Sequence, residues 1–250
     1  MNLSRLKGRV AMIIGSGKGI GKAIAHELAG EGAAVVVTDI DNERGIATTQ
    51  ELTEQGVAVE YIGFDIRDSN KCEEAVAKAV QVFGRLDILI NNAGAGYARI
   101  LENTTLADWD NIFAINLRSY FTLTQCAMPH LVAGGNSSIV FISSIAAIKT
   151  MPLTCLYGAT KAGLTHFARN LAMEYAGRGV RVNVVAPSNI ATDMILGDSE
   201  EVRRLLADNI PMKRVGKPED VAKVVRFLVT DDASYVTGQV IGVTGGYDLM

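Results

Sequence analysis

Short runs rich in Val and Ile alternate along this chain with longer segments of helical period, and no other feature restricts the fold as much. The runs lie near residues 9–14, 34–38, 57–63, 86–90, 138–143, 180–186 and 239–243. Continuous apolar strands of this length suit a parallel sheet covered on both faces, and parallel strands need crossover connections. The intervening segments supply them. Cys72, Ala75, Val76, Ala79, Val80 and Phe83 recur at steps of three and four, as do Val221, Val224, Val225 and Leu228, so each segment lays one apolar stripe on the sheet. The expected fold class is α/β: a doubly wound, three-layer sandwich around a seven-stranded parallel sheet. A helix starting near Leu106 is expected to end or kink near Met128, because Pro129 cannot donate to the helical ladder.

A chain of 250 residues buries enough surface for one self-sufficient core, and no linker divides it, so residues 1–250 read as a single domain. Segment 189–214 is the one long excursion between a strand and the next packed helix, and reads as a substrate lid. With 24 Lys and Arg against 27 Asp and Glu the formal charge is −3, which gives no general grip on nucleic acid or anionic membranes. Cys72, Cys126 and Cys155 are odd in number and widely spaced, which disfavours disulfides and zinc and fits a reducing compartment. The N-terminus shows no signal-peptide apolar region and no run approaches a membrane span, so a cytoplasmic location is expected. The Asn-x-Ser/Thr triplets at Asn2, Asn103 and Asn136 are then chance matches.

The 25 glycines exceed the usual share and gather at proposed turns. Directly after the first strand comes Gly15-Ser16-Gly17-Lys18-Gly19-Ile20-Gly21, followed by the helical stripe Ile20, Ile24, Leu28. Such a loop lets the backbone approach a ligand, and the helix start offers N–H groups to a pyrophosphate. Asp39 ends the second strand twenty residues past Gly19, where a carboxylate accepts hydrogen bonds from a ribose hydroxyl. The unit is that of a Rossmann dinucleotide site. Asp39 repels a 2′-phosphate more strongly than one flexible ammonium, Lys18, attracts it, so NAD is expected over NADP.

The spacing Gly15-x-x-x-Gly19-x-Gly21 resembles the short-chain dehydrogenase/reductase family. Further matches follow in order: Asp65 after the third strand, Asn91-Asn92-Ala93-Gly94 after the fourth, Asn116, Ser144, and Tyr157-Gly-Ala-Thr-Lys161. Asn183–Thr192 resembles the stretch that receives the nicotinamide, and Arg214–Asp220 and Val236–Gln239 resemble C-terminal landmarks. The chain departs at Ile14 (usually Thr), Ser188 (usually Gly) and Thr244 (usually an acid). The resemblance implies a nicotinamide cofactor held by Gly15, Ser16, Gly17, Lys18, Gly19, Ile20, Gly21, Asp39, Ile40, Asp65, Ile66, Asn92, Ala93, Gly94, Tyr157, Lys161, Pro187, Ile190 and Thr192. It implies a catalytic set of Asn116, Ser144, Tyr157 and Lys161, and a homotetramer.

Tyr157 and Lys161 are four residues apart and share a helix face. Lowering a phenol from near pH 10 by about three units requires about 4 kcal/mol. A cation about 4 Å away at an effective dielectric near 20 contributes about that much. In the implied mechanism Tyr157 exchanges a proton with the substrate oxygen, Ser144 hydrogen-bonds that oxygen, and Lys161 also holds the ribose. The resemblance further implies that Asn116 fixes a helix kink and a water linking Lys161 to solvent. No G-x-S-x-G elbow is present, and His26, His130 and His166 are scattered, so hydrolase and metal chemistry are not indicated. Cys155 reads as a small packing thiol.

Loops 95–101, 145–156 and 189–212 are expected to surround the substrate. Their apolar members, Ile145, Ile148, Met151, Leu153, Met194, Ile195 and Leu196, favour an apolar secondary alcohol or ketone, with Tyr97 and Arg99 as polar contacts. One rival is a 3-oxoacyl-carrier-protein reductase using NADPH. Against it stand Asp39 and the lack of Lys or Arg between Arg118 and Lys149 for docking an acidic carrier. A second rival, a non-catalytic dinucleotide sensor, is countered by the intact catalytic set.

Overall fold

A computed structural model describes residues 4–192 and 200–249. Seven parallel strands form one sheet in the order β3-β2-β1-β4-β5-β6-β7. They are β1 (Val10–Ile14), β2 (Ala34–Asp39), β3 (Val59–Gly63), β4 (Ile88–Asn91), β5 (Ser137–Ile142), β6 (Val180–Pro187) and β7 (Val240–Val243). Each lies within one or two residues of its expected run.

Side-chain alternation along the strands builds two cores, one on each face. Val10, Met12 and Ile14 of β1 point to one face, against Cys72, Ala75, Val76 and Ala79 of α3 (Ser69–Phe83). Ala11 and Ile13 point to the other, against Ile24 and Leu28 of α1 (Gly19–Gly30), Leu52 of α2 (Asn42–Glu54), and Val221, Val225 and Leu228 of a C-terminal helix. That helix is α8 (Pro218–Val229); before it comes α7 (Glu200–Asp208). The strand order reverses between β1 and β4, which places a cleft at the carboxyl ends of these two strands.

The helix after β4 does not break where Pro129 suggests. α4 (Leu106–Phe113) runs into a π-helical turn, Ala114–Arg118, and then α5 (Ser119–Gly134) passes through Pro129 to its end. Pro129 and Gln125, whose carbonyl it cannot reach, both lie on the exposed side of α5. The irregularity sits instead at Asn116, inside the π turn. Next comes α6 (Cys155–Tyr175), which carries both Tyr157 and Lys161. Of the proposed lid, residues 193–199, including Met194, Ile195 and Leu196, lie outside the described residues. Among the described residues no helix is long and apolar enough to cross a membrane, and no cluster of His, Cys, Asp or Glu is suited to a metal.

Candidate active site

The glycine loop and the acid after β2 form one hydrogen-bonded unit. The Gly17 amide donates to Asp39 Oδ2 at 2.9 Å and the Asp41 amide to Oδ1 at 3.0 Å, so both carboxylate oxygens are oriented by the main chain. A Cβ on Gly17 would stand 2.7 Å from Asp39 Oδ2, and one on Gly21 only 2.0 Å from the Gly15 carbonyl oxygen. Both positions therefore exclude side chains. Asp41, Asp68 and Thr105 cap α2, α3 and α4 with their side chains, whereas α1 starts at Lys18 without a side-chain cap. Its first amides are available to an anion. These features fit a dinucleotide, the helix start being suited to a pyrophosphate and Asp39 to a ribose.

The remaining candidates fall into two groups. Asn92 donates to the Ile14 and Gly15 carbonyls at 3.2 and 2.8 Å, and the Ala93 amide to Ile14 at 2.8 Å, clamping the loop to the end of β4 ahead of Gly94. Ile40 is 65 % exposed beside Asp39, a free apolar shelf. Ile20 and Ile66 are half-buried, and Thr192 returns over the loop, its Cγ2 being 3.3 Å from where a Gly19 Cβ would stand. Others are spent internally. The Ser16 hydroxyl is buried, donating to Ile13 and accepting from the Thr38 amide, and its own amide donates to the Thr38 carbonyl at 2.7 Å. Ile190 joins the second core, and Pro187 is buried at the end of β6. Asp65 is gripped by Arg67, with Nη2 2.6 Å from Oδ2, and this hydrogen bonding holds its carboxyl below the usual carboxylate range.

The four catalytic candidates converge beneath the ends of β4 and β5. Asn116 is fully buried; its amide donates to the Ala95 carbonyl at 2.9 Å and accepts from the Ala95 amide at 2.9 Å, while Nδ2 also lies 3.3 Å from Thr160 Oγ1. The π turn thus aims one amide at the loop after β4. Lys161 is 3 % exposed and its ammonium donates to the Ile142 carbonyl at 3.0 Å. Burial lowers its pKa to about 8. Ser144 accepts from the Ala146 amide at 3.1 Å, closing the 3₁₀ turn Ile145–Ala147, and its hydroxyl acts to lower the pKa of the Tyr157 phenol.

Expectation and geometry differ at the phenol. Burial raises the Tyr157 pKa, and the Ser144 hydrogen bond opposes this only in part. The Lys161 ammonium lies 5.8 Å from the Tyr157 ring centroid and is bonded to a carbonyl, so desolvation outweighs the charge attraction that the sequence argument invoked. One residue was missed: Tyr120, fully buried, donates its hydroxyl to the Ala93 carbonyl and sets its ring 5.7 Å from the Lys161 ammonium. A helical stripe marks such a residue only as core.

On the substrate side a cavity of about 560 Å³ is lined by Arg99, Ile148, Met151, Leu153, Cys155 and Gly158, among others. Its wall on α6, Cys155, Gly158, Ala159 and Ala162, lies roughly 100–200° around the helix from Tyr157, so the cavity flanks the candidate site rather than enclosing it. Cys155 is exposed, not packed, whereas Ile145 is buried and faces no substrate. The Tyr97 hydroxyl lies 3.4 Å from Thr104 Oγ1.

The family model described as enoyl-(acyl carrier protein) reductase matches residues 14–248. The 3-oxoacyl-(acyl-carrier-protein) reductase FabG of Thermotoga maritima is 40 % identical over 97 % of this chain and 98 % of its own length. The chain belongs to the short-chain dehydrogenase/reductase family. It is therefore an oxidoreductase of that family, on a Rossmann-type sheet. Other short-chain dehydrogenases are similar too: the 7alpha-hydroxysteroid dehydrogenase of Clostridium sardiniense is 34 % identical over 99 % of this chain and 96 % of that one. A solved 7 alpha-hydroxysteroid dehydrogenase, complexed with NADH and 7-oxo glycochenodeoxycholic acid, superposes with a TM-score of 0.93 at 33 % identity, covering 98 % of this chain and 96 % of that one. A gluconate 5-dehydrogenase from Burkholderia cenocepacia, in complex with NADP and tartrate, gives 0.93 at 29 % identity, covering 100 % and 98 %.

Proposed function

We propose that this short-chain dehydrogenase interconverts a secondary alcohol and its ketone with NAD(H), using Tyr157 as the general acid/base. The observation that carries the reading is the buried Lys161 ammonium on the same helix as a phenol whose pKa the Ser144 hydroxyl acts to lower. In the reducing direction Tyr157 gives its proton to the substrate oxygen while the Ser144 hydroxyl donates to the same atom; oxidation reverses both. Lys161 stabilises the phenolate so formed, and Asn116 positions the loop at Ala95 against the lysine's helix through Thr160. A nicotinamide dinucleotide, held by Gly15–Gly21, Asp39, Ile40, Asn92, Ala93, Gly94 and Thr192, supplies the hydride chemistry when bound. Asp39 supports NAD, because its fixed carboxylate accepts from ribose hydroxyls and repels a 2′-phosphate. The substrate is a small molecule with an apolar body, and the protein is a homotetramer of single-domain chains acting in the cytoplasm.

The test is an absorbance screen of secondary alcohols and ketones with NADH and NADPH, on the wild type and on Tyr157→Phe. We expect turnover with NADH and a rate at least about 10³-fold lower in the variant, with NADH binding within twofold of wild type. Near-wild-type turnover by Tyr157→Phe would remove the assignment. A second reading, 3-oxoacyl-carrier-protein reduction with NADPH, is supported by the 40 % identity to FabG and by Lys18 in the loop. Higher efficiency on an acyl-carrier substrate with NADPH would favour it.

A further inference from the structure

We propose that Leu153 determines substrate specificity, holding the apolar body of the ketone or alcohol against the cavity beside α6; this rests on the function proposed above. Among the described residues other than glycine, two have left-handed backbone, Leu153 at φ 66° and Lys213 at φ 54°. A side chain in that region crowds its own carbonyl and persists only where something holds it there. For Lys213 the return is internal. Its amide donates to the Ile210 carbonyl at 2.8 Å and its ammonium to the Asp208 carbonyl at 2.9 Å, closing the chain after α7.

Leu153 has no comparable return. Its carbonyl accepts the Arg99 amide at 2.9 Å, a bond that glycine would make equally well and without strain. Its side chain is 53 % exposed, so it stabilises little within the chain. What the leucine adds is an isobutyl group at a cavity that Ile148 and Met151 also line. Two cationic side chains, Arg99 and Lys149, line the same cavity and no carboxylate does; the Lys149 ammonium donates to the Tyr247 carbonyl at 3.0 Å. The loop bearing Leu153 begins at Ser144 and ends at the helix of Tyr157, so one segment joins the two groups assigned to the substrate oxygen to the cavity that Leu153 lines. Apolar contact there rewards a long substituent over a short one.

The test compares kcat/KM for a long and a short alkyl methyl ketone, with either cofactor, in wild type, Leu153→Ala and Leu153→Gly. Leu153→Ala keeps the strained backbone and removes the isobutyl group; we expect the long-to-short ratio to fall about five- to tenfold, with the thermal midpoint nearly unchanged. Leu153→Gly should lose the same selectivity with a midpoint at or above that of Leu153→Ala, because the strain is relieved. An unchanged ratio in both variants of an active enzyme overturns the role of Leu153 alone. A ratio that falls only together with a large drop in midpoint also overturns it, since the leucine would then be structural. Absence of turnover by the wild type on every alcohol and ketone, with both cofactors, overturns the functional reading and this inference with it.

Discussion

On the β1 side of the cleft, the loop from Ile14 to Gly19 is closed by hydrogen bonds between its own backbone and Asp39, Asn92 and Thr38. On the β5 side, the loop from Ser144 to Thr154 shows exposed Ile148 and Leu153 and a strained backbone. A site that reads a ligand with main-chain groups requires particular residue types at fixed spacing, since a Cβ in the wrong place collides. A site that reads a ligand with side chains tolerates many residues, and its specificity shows only once the loop's path is known. The contrast is open to test by substitutions that act on one side at a time.

The largest effect on cofactor binding is expected at Gly21. A methyl group there would sit 2.0 Å from the Gly15 carbonyl oxygen and 2.5 Å from Asn92 Nδ2, both already bonded to each other at 2.8 Å. Gly21→Ala should weaken NADH binding at least about 100-fold, or roughly 3 kcal/mol. Fluorescence titration checks this, and binding within threefold of wild type would show that the loop is softer than its contacts imply.

Lys161→Met separates stability from chemistry. The ammonium's fall from 10.5 to about 8 on folding means that burying the charged form costs roughly 3 kcal/mol below pH 8. The sign follows from proton counting: between pH 8 and 10.5 the unfolded chain binds more protons than the folded one, so wild-type stability rises there. Lys161→Met should therefore be inactive yet more stable at pH 7, with its advantage shrinking as pH rises through 8 to 10. Thermal melts at several pH values measure this; a stability difference independent of pH contradicts it.

Asp39→Ala should act on cofactor choice and little else. Removing a carboxylate oriented by two amides should lower the NADH-to-NADPH binding ratio about 10- to 100-fold. Paired titrations with the two cofactors are the check, and a ratio that stays put would place discrimination elsewhere, with Lys18 first among the alternatives.

The strand set and the β1 side are legible in the sequence because their causes are local: apolar runs, a stripe every three or four residues, and glycines whose φ or contacts admit nothing larger. The irregular helix is legible only through the resemblance, which points to Asn116, and not through local pattern. Pro129 looks like the breaker, but it lies on the exposed face inside α5, while the π-helical turn falls at Asn116, whose amide bonds to Ala95, twenty-one residues away in sequence. Nor can spacing report desolvation, which raises the Tyr157 phenol and lowers the Lys161 ammonium where charge attraction alone argues otherwise for the phenol. Ser16 and Ile190 show the same limit. Motif position marks them as ligand contacts, while packing turns their side chains into the protein.

The smallest effect is expected at Ile148, and it sharpens the contrast most. It is 63 % exposed, lines the same cavity as Leu153, and lies where the 3₁₀ turn ends with ordinary negative φ. Ile148→Ala removes apolar surface already in water, so the folded state should lose less than about 0.5 kcal/mol. If substrate contacts on this side are made by side chains, kcat/KM for an apolar ketone should still fall about two- to threefold, with NADH binding untouched. The same substitution on the β1 side, at half-buried Ile20, should move cofactor binding instead, because α1 follows the loop directly. Steady-state kinetics and cofactor titration on both variants decide the matter: exchange of the two effects, or a joint loss in both, would mean that the two sides of the cleft are not independent.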